Sequence, residues 1–408
     1  MSPSAHSEFD IGQVILNKTI ETHFQPIVSI RRKSILGGEA LSRGLSENGE
    51  LVSPQKLFEQ AAARNNVLEL DRACRVKALE NFLPVHQKNP DLILFLNCYA
   101  ASLAEDFDFM LESAETVGID VRNIAIEILE SECEDVKALR KSIQKYKKAG
   151  FLMAIDDLGI GHSNLNRIFH IEPDIIKADA SLVRDINLEY YKQEIFKSLT
   201  HLSEKIGGWI IAEGVETEDE ALTVMKLGGD IMQGYYFGRP LKRENQEIAY
   251  SHDCVETVAV DFKEYTLNKI KNDYYLREER AAVINSIAAH LINLSPEQFE
   301  KQLCESVAKH SNIESACVID EKGVQMTNTV INDAHAEKQK TVIFRPPVKG
   351  SDHSLKEYFY ALKETRIKIF ETNPYVPLPS GNLCITVSTF FKDASGQSFI
   401  LCLHMRLE

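Results

Sequence analysis

The sequence predicts an α/β barrel, then a helical linker, then a small α+β domain. Three observations carry this. From about residue 20 to 240, short apolar segments alternate with amphipathic ones, as in α/β folds. Nearly every apolar segment ends in a polar residue that packing does not need: Glu39, Asn97, Glu127, Asp156, Lys177 or Glu213. After Pro240 the alternation stops, and a long breaker-free stretch leads into runs with strand character.

The elements follow in order. His23–Ile30, Ile35–Ser42, Leu92–Asn97, Asn123–Ile128, Phe151–Ile155, Ile175–Ala178 and Trp209–Ala212 are short and rich in Ile, Val, Leu and Phe. They are expected as buried strands. Gln55–Asn65, Leu68–Gln87, Glu134–Ala149, Glu189–Lys205 and Glu218–Leu227 carry helical periodicity. This alternation suits an open doubly wound sheet as well as a closed barrel. The polar strand ends favour the barrel, which gathers the C-terminal ends of its strands at one mouth. An open sheet spreads them along an edge and uses only those near a switch point.

From about Asp253 to Asn293, apolar residues recur at helical spacing (Val255, Val258, Phe262, Tyr265, then Val283, Ile284, Ile287, Leu291). One long helix or two in tandem is expected, with Ser295-Pro296 opening the next. Ser315–Ile319, Thr341–Phe344, Ile367–Phe370, Leu383–Phe391 and Phe399–Arg406 read as strands of an antiparallel sheet, with turn signals around Gly323, Gly381 and Gly396. A chain of 408 residues is long for one compact unit. The expected division is a barrel over 1–250, a helical linker over 251–293 and a small domain over 294–408.

Hydrophobic residues make up 44% and charged ones 26%, an ordinary globular balance. The formal net charge of -14 repels a phosphate backbone, so no nucleic-acid partner is expected. There is no signal-peptide pattern at the start and no apolar run of membrane-spanning length. A cytoplasmic protein is the expectation. The 8 cysteines form no Cys-x-x-Cys pair and are expected as buried, reduced thiols.

Carboxylates at strand ends beside an amide and a lysine suit hard, oxygen-ligated cations such as Mg²⁺ or Mn²⁺. The Asp156-Asp157 doublet closes an apolar run and precedes Gly159 and Gly161. Such a doublet can lend one carboxylate to each of two ions, the arrangement used for in-line displacement at phosphorus. Gly159-Ile160-Gly161 is not a dinucleotide fingerprint, because Asn164 stands where the third glycine belongs, and no phosphate-binding P-loop is present.

Several of these segments, taken in chain order, resemble the EAL-domain family of cyclic-di-GMP phosphodiesterases. Glu39-Ala40-Leu41 with Ser42-Arg43 is similar to its signature, and Phe24-Gln25-Pro26-Ile27-Val28 to its opening strand. Leu96-Asn97, Glu127-Ile128-Leu129-Glu130-Ser131, Asp156-Asp157-Leu158-Gly159, Ile176-Lys177-Ala178-Asp179, Ala212-Glu213-Gly214-Val215-Glu216 and Gln233-Gly234-Tyr235 through Arg239-Pro240-Leu241 continue the set. The resemblance implies a TIM-like barrel with one antiparallel strand, in line with the strand-end argument. It implies that Glu39, Asn97, Glu127 and Asp156 hold one metal ion, and Asp156 with Asp157 a second. It implies Lys177 and Glu213 beside the attacking water, with Gln233 supporting it. Arg43 would hold a substrate phosphate, and Gln25, Leu41, Asp179 and Pro240 would line the nucleotide pocket. The implied reaction is hydrolysis of cyclic-di-GMP to linear pGpG, in a homodimer.

The segment Leu158-Gly159-Ile160-Gly161-His162-Ser163-Asn164 departs from the family's Phe-Gly-Thr/Ala-Gly-Tyr-Ser-Ser, while Glu130, which normally braces it, is retained. Two readings follow: a hydrolase, or a receptor that binds cyclic-di-GMP without cutting it. In the last third, Tyr358-Phe359-Tyr360, Asn373-Pro374-Tyr375-Val376-Pro377 and Ile385-Thr386-Val387-Ser388 resemble PAS-like or Cache-like sensor domains. That resemblance implies a small-molecule or protein signal acting there.

Overall fold

A computed structural model describes residues 11–16, 19–45, 50–99, 103, 105–129, 136–158, 165–244, 246–332, 346–365, 367–377 and 381–407. The chain divides into two compact units, Met1–Thr266 and Leu267–Glu408.

The first unit contains strands β1 (Ile20–Ser29), β2 (Ser34–Leu45), β3 (Leu51–Val52), β4 (Ile93–Tyr99), β5 (Ile124–Leu129), β6 (Leu152–Leu158), β7 (Ile175–Ala178), β8 (Trp209–Ala212) and β9 (Ile231–Gln233). Its helices are α1 (Ile11–Leu16), α2 (Pro54–Ala63), α3 (Val67–Lys88), α4 (Phe107–Val117), α5 (Val136–Ala149), α6 (Leu165–Ile171), α7 (Ala180–Val183), α8 (Tyr190–Ile206) and α9 (Glu218–Lys226). The strands run in the order β1-β9-β8-β7-β6-β5-β4-β2-β3, and β1 also pairs with β2. Eight strands therefore close into a barrel, with β3 appended to β2. Every junction from β2 round to β9 is parallel. β1 is antiparallel to both neighbours, because it turns back into β2 through a tight turn in which Lys33 takes φ 53°.

Side chains alternate along a strand, so one set of positions fills the barrel. Ile27, Ile93, Phe95, Ala125, Ala154, Ile175, Ile211 and Ile231 form that inner core. The helices cover the outer face, where Leu94, Leu96, Ile126, Ile155 and Ile176 are buried. On most strands the inner apolar residue is followed two positions later by a polar one at the mouth. Phe95 precedes Asn97, Ala125 precedes Glu127, Ala154 precedes Asp156, Ile175 precedes Lys177, and Ile231 precedes Gln233. On β1 the order reverses, with Gln25 before Ile27, because that strand runs the other way. The end of β9 passes close to the turn after β8. A Cβ at Gly234 would lie 2.0 Å from the Val215 carbonyl oxygen, so only glycine allows the Val215 N–H to donate to the Gln233 carbonyl at 3.1 Å.

Helix α10 (His252–Leu291) is one continuous helix of 40 residues rather than two, and α11 (Pro296–Val307) follows, with Ser295 and Gln298 forming a capping box. In the second unit, β10 (Ile313–Asp320), β11 (Val330–Ile331), β12 (Ile369–Glu371), β13 (Cys384–Lys392) and β14 (Ser398–Arg406) form an antiparallel sheet in the order β11-β10-β14-β13-β12. One face packs on Ile284, Ile287 and Leu291 of α10 and on Phe299 and Leu303 of α11. The other face, with Cys317, Ile319, Ile400 and Cys402, is covered by Tyr358, Phe359 and Leu362 of α12 (Glu357–Thr365).

Among the described elements, α1, β3, α4, α6, α7, β9, β11 and α12 were not foreseen in the sequence. The expected strand Thr341–Phe344 lies outside the described residues. No described cysteine is in a disulfide; five are buried, whereas Cys304 is exposed, against the expectation for thiols of this chain.

Candidate active site

The polar residues at the barrel mouth converge on the ammonium of Lys177, which is fully buried. Its Nζ lies 2.6 Å from Glu127 Oε1, 2.7 Å from Glu213 Oε1, 3.4 Å from Glu39 Oε2 and 3.5 Å from Asp156 Oδ1. Glu39 accepts hydrogen bonds from Asn97 Nδ2 (3.0 Å) and from Gln233 Nε2 (2.6 Å), and Gln233 Nε2 also reaches Gln25 Oε1 at 3.1 Å. Strand register explains these meetings: Gln25 faces Glu39 across β1 and β2, and Asn97 faces Glu127 across β4 and β5.

Four carboxylates share one lysine, so the cluster is over-supplied with negative charge. Burial pushes the Glu127 carboxyl well above its usual range, and Glu39 and Asp156 add repulsion that outweighs Lys177. Burial likewise raises Glu213 to about 8 against the pull of Lys177. Glu39 goes the other way. Burial alone would raise it, but Lys177 and the hydrogen bonds from Gln233 and Asn97 hold it below the usual value. Burial would strip Lys177 of its proton, yet Glu127, Glu213, Glu39 and Asp156 together hold the ammonium well above its ordinary pKa.

Both Glu127 oxygens are buried without an aligned hydrogen bond, so the 2.6 Å contact to Lys177 is an ion pair only. Unpaired carboxylate oxygen in a dry site is costly. Oxygen donors with surplus negative charge are the set that a hard divalent cation satisfies. Among the described residues, no three acidic, histidine or cysteine side chains stand together as a ready metal cage; the carboxylates are drawn round the lysine. The donor chemistry at Glu39, Asn97, Glu127 and Asp156 fits such an ion. The Asp157 side chain, Glu130 and residues 159–164 lie outside the described residues.

The remaining residues singled out in the sequence stand further off. Arg43 is half-buried, its Nη1 donates to the Ser42 carbonyl at 2.9 Å, and burial lowers its pKa against the pull of Tyr235 and Glu39. Asp179 caps α7 by accepting from the Ser181 N–H at 2.6 Å. Pro240 is half-buried and precedes Leu241, whose backbone pairs with Phe24.

A cleft of about 350 Å³ adjoins Glu39 and Asn97 and is lined by Leu41, Phe58, Asp71, Cys74, Arg75 and Tyr99, among others. Sequence reasoning passed over Asp71 and Arg75 because both sit inside a helix, α3, where charges usually face water. Here both are buried. Arg75 Nη2 lies 2.9 Å from Asp71 Oδ2 and also pairs with Asp106, while its Nε and Nη1 have no hydrogen-bond partner.

Burial, with repulsion from Asp106, raises Asp71 to about 6 despite Arg75. A carboxyl raised in the folded state contributes stability that is full below its unfolded pKa, about 3.9, and lost as pH rises through about 6. The stability of wild type minus that of Asp71→Asn is therefore expected to fall by about 2 kcal/mol between pH 4 and pH 7. Denaturant melts of both proteins across that range check this. A constant difference would show that the carboxyl titrates normally.

A family model of the EAL domain matches residues 10–240. The chain belongs to the EAL-domain family. It is 26% identical over 381 residues, 90% of each chain, to the uncharacterized EAL-domain containing protein YkuI of Bacillus subtilis (strain 168). It is 32% identical over 226 residues to the probable cyclic di-GMP phosphodiesterase PdeI of Escherichia coli (strain K12), which is 53% of this chain and 28% of that protein. It thus spans under a third of PdeI. The crystal structure of the EAL-domain protein YkuI in complex with substrate c-di-GMP and calcium superposes with a TM-score of 0.81 at 25% identity, covering 98% of this chain and 100% of that one. The likeness to YkuI therefore extends through both units, while the EAL-domain match ends within the first. No helix among the described residues is long and apolar enough to cross a membrane.

Proposed function

We propose that this EAL barrel hydrolyses one phosphodiester bond of cyclic-di-GMP, giving linear pGpG. The observation that carries the reading is the over-charged mouth: Glu39, Glu127, Asp156 and Glu213 gathered with Asn97 round one buried lysine. Glu39, Asn97, Glu127 and Asp156 would hold one Mg²⁺ or Mn²⁺ and Asp156 with Asp157 a second, the pair polarising the phosphate and acidifying the attacking water.

The chain's own residues do the rest. Lys177 keeps the carboxylates from forcing one another apart, and its charge attracts the anionic substrate. Glu213, 2.7 Å from Lys177 Nζ and partly open to solvent, would take the water's proton once bound cations draw off the proton that burial favours on it. Gln233 fixes Glu39 and Gln25 in one geometry. Arg43 supplies the cation for a phosphate oxygen, Leu41, Asp179 and Pro240 border the nucleotide, and the cleft over Asp71 and Arg75 offers buried donors and an acceptor for a base edge. The second unit is read as a PAS-like sensor answering a small-molecule or protein signal, in a cytoplasmic homodimer.

The deciding assay incubates the full chain with cyclic-di-GMP and Mg²⁺ or Mn²⁺ and separates the products. Linear pGpG is expected, and none with EDTA. Tight binding without product would replace this reading with that of a receptor, the outcome favoured by the altered Leu158–Asn164 segment.

A further inference from the structure

The face of the second sheet that lies under α12 carries two thiols side by side. Cys317 of β10 and Cys402 of β14 are direct partners in the antiparallel register, and both are buried. Such partners stand with Cα atoms about 4.5–5.5 Å apart, inside the span of about 4.4–6.8 Å that a disulfide bridges. Their side chains hydrogen-bond to each other, and Cys317 also to the His404 imidazole. His404 is held in turn, its Nδ1 lying 2.7 Å from the Tyr375 hydroxyl and 2.9 Å from the Thr386 hydroxyl. The bond from Cys402, with help from His404, outweighs burial and brings the Cys317 thiol down to about 5. The same bond and burial push Cys402 well up. Cys384 of β13 shows the ordinary case: burial, with Glu314 beside the thiol, raises it to about 12.

We propose that Cys317 and Cys402 are a peroxide-responsive dithiol that closes reversibly to a disulfide. The strand register supplies a nucleophile and a resolving thiol, His404 stabilises the Cys317 thiolate, and Tyr375 and Thr386 orient His404. In the first step the Cys317 sulfur attacks one peroxide oxygen and the O–O bond breaks. The departing oxygen takes a proton and leaves as water, or as an alcohol when the peroxide is organic. Cys317 is then a sulfenic acid, oxidised by two electrons as the peroxide is reduced by two. In the second step the Cys402 sulfur attacks that of Cys317, the S–S bond forms and the S–O bond breaks. Hydroxide leaves with the Cys402 proton as water. Both sulfurs are buried, so the oxidant is a peroxide close to water in size and not a bulky disulfide such as oxidised glutathione. Closing the bond removes the charge that His404 and His353 face, so oxidation changes the electrostatics beneath α12. The site is independent of the chemistry at the barrel mouth and of any ligand in the second unit.

Treating the full chain with hydrogen peroxide under native conditions, blocking the remaining thiols and reading the peptides by mass spectrometry tests it. A Cys317–Cys402 cross-linked peptide lighter by two hydrogens is expected, lost on adding dithiothreitol, with Cys384 still reduced. Oxidised glutathione should leave the pair untouched. Cys402→Ser should stop the reaction at the Cys317 sulfenic acid, which dimedone traps, and Cys317→Ser should abolish both products. The wild-type cross-link decides alone if a serine variant fails to fold. In His404→Asn the pH needed for half-maximal oxidation should rise with circular dichroism unchanged, because Cys402, His353 and Tyr358 are the titratable neighbours left around Cys317. No cross-link in the folded protein, one that forms only in urea, or one joining other cysteines would overturn the proposal. Oxidation by oxidised glutathione as fast as by peroxide would overturn the choice of oxidant. An unmoved pH dependence would remove His404 from the site.

Discussion

Replacing Glu127 with Gln is expected to lower the rate of pGpG formation by at least about a thousandfold, roughly 4 kcal/mol of transition-state stabilisation, with the barrel still folded. Glu127 is the most enclosed acid of the cluster, fully buried in β5 with both oxygens lacking an aligned hydrogen bond. Glutamine keeps the volume, so packing is undisturbed, but it exchanges an anionic oxygen for an amide. One of its two ends must then present an N–H towards the ammonium 2.6 Å away, or a neutral oxygen where charge is required. Lys177 retains Glu213, Glu39 and Asp156, so the loss falls on chemistry and ion binding more than on stability. Product separation after incubation with cyclic-di-GMP and Mn²⁺ reads the outcome. A variant within tenfold of wild type would remove Glu127 from the catalytic set.

Lys177→Met should instead strike at stability. Methionine fills the space of the lysine stem, but four carboxylates lose the one cation they share. Removing one side of a buried charge set costs about 3–5 kcal/mol, enough to lower the melting temperature of the barrel by about 10 °C. Part of that loss is recovered by protonation, since Glu127 and Glu213 already titrate high. The rest should be recovered by divalent cations, which bind the folded cluster and not the unfolded chain. Millimolar Mn²⁺ is therefore expected to raise the melting point of Lys177→Met further than that of wild type. Equal shifts in the two proteins would mean that the cluster does not bind the ion.

The cluster was legible in the sequence because the barrel writes it at a fixed offset. An inner apolar residue followed two positions later by an acid, amide or lysine recurs at Phe95–Asn97, Ala125–Glu127, Ala154–Asp156 and Ile175–Lys177, and a repeated misfit is visible where a single one is not. The same rule failed at the eighth strand. Ile231–Gln233 is three residues long, sits between Gly228-Gly229 and Gly234, and offers too little apolar sequence to announce a strand; its place is fixed by pairing with β1 and β8. Asp71 and Arg75 were illegible for another reason. On α3 they are four residues apart, as in any solvated helical ion pair, and only the packing of α3 against its neighbours reveals that both are buried. The hub role of Lys177 was also hidden, because spacing along the chain cannot say that four carboxylates from four strands meet one ammonium.

The reversed first strand has a consequence in time as well as in space. The ring closes only where β1 meets β9, through pairs such as Ile27 with Gln233, and the Gln233 amide reaches Glu39 across 194 residues of sequence and Gln25 across 208. Contacts that distant form late, after most of the loop-closure entropy has been spent. During synthesis the acidic strand ends of β2 to β6 leave the ribosome long before the segment that locks Glu39 in place. A nascent chain therefore carries most of the acidic cluster well before the barrel can hold it in place, and the finished mouth arrives abruptly with the last strand.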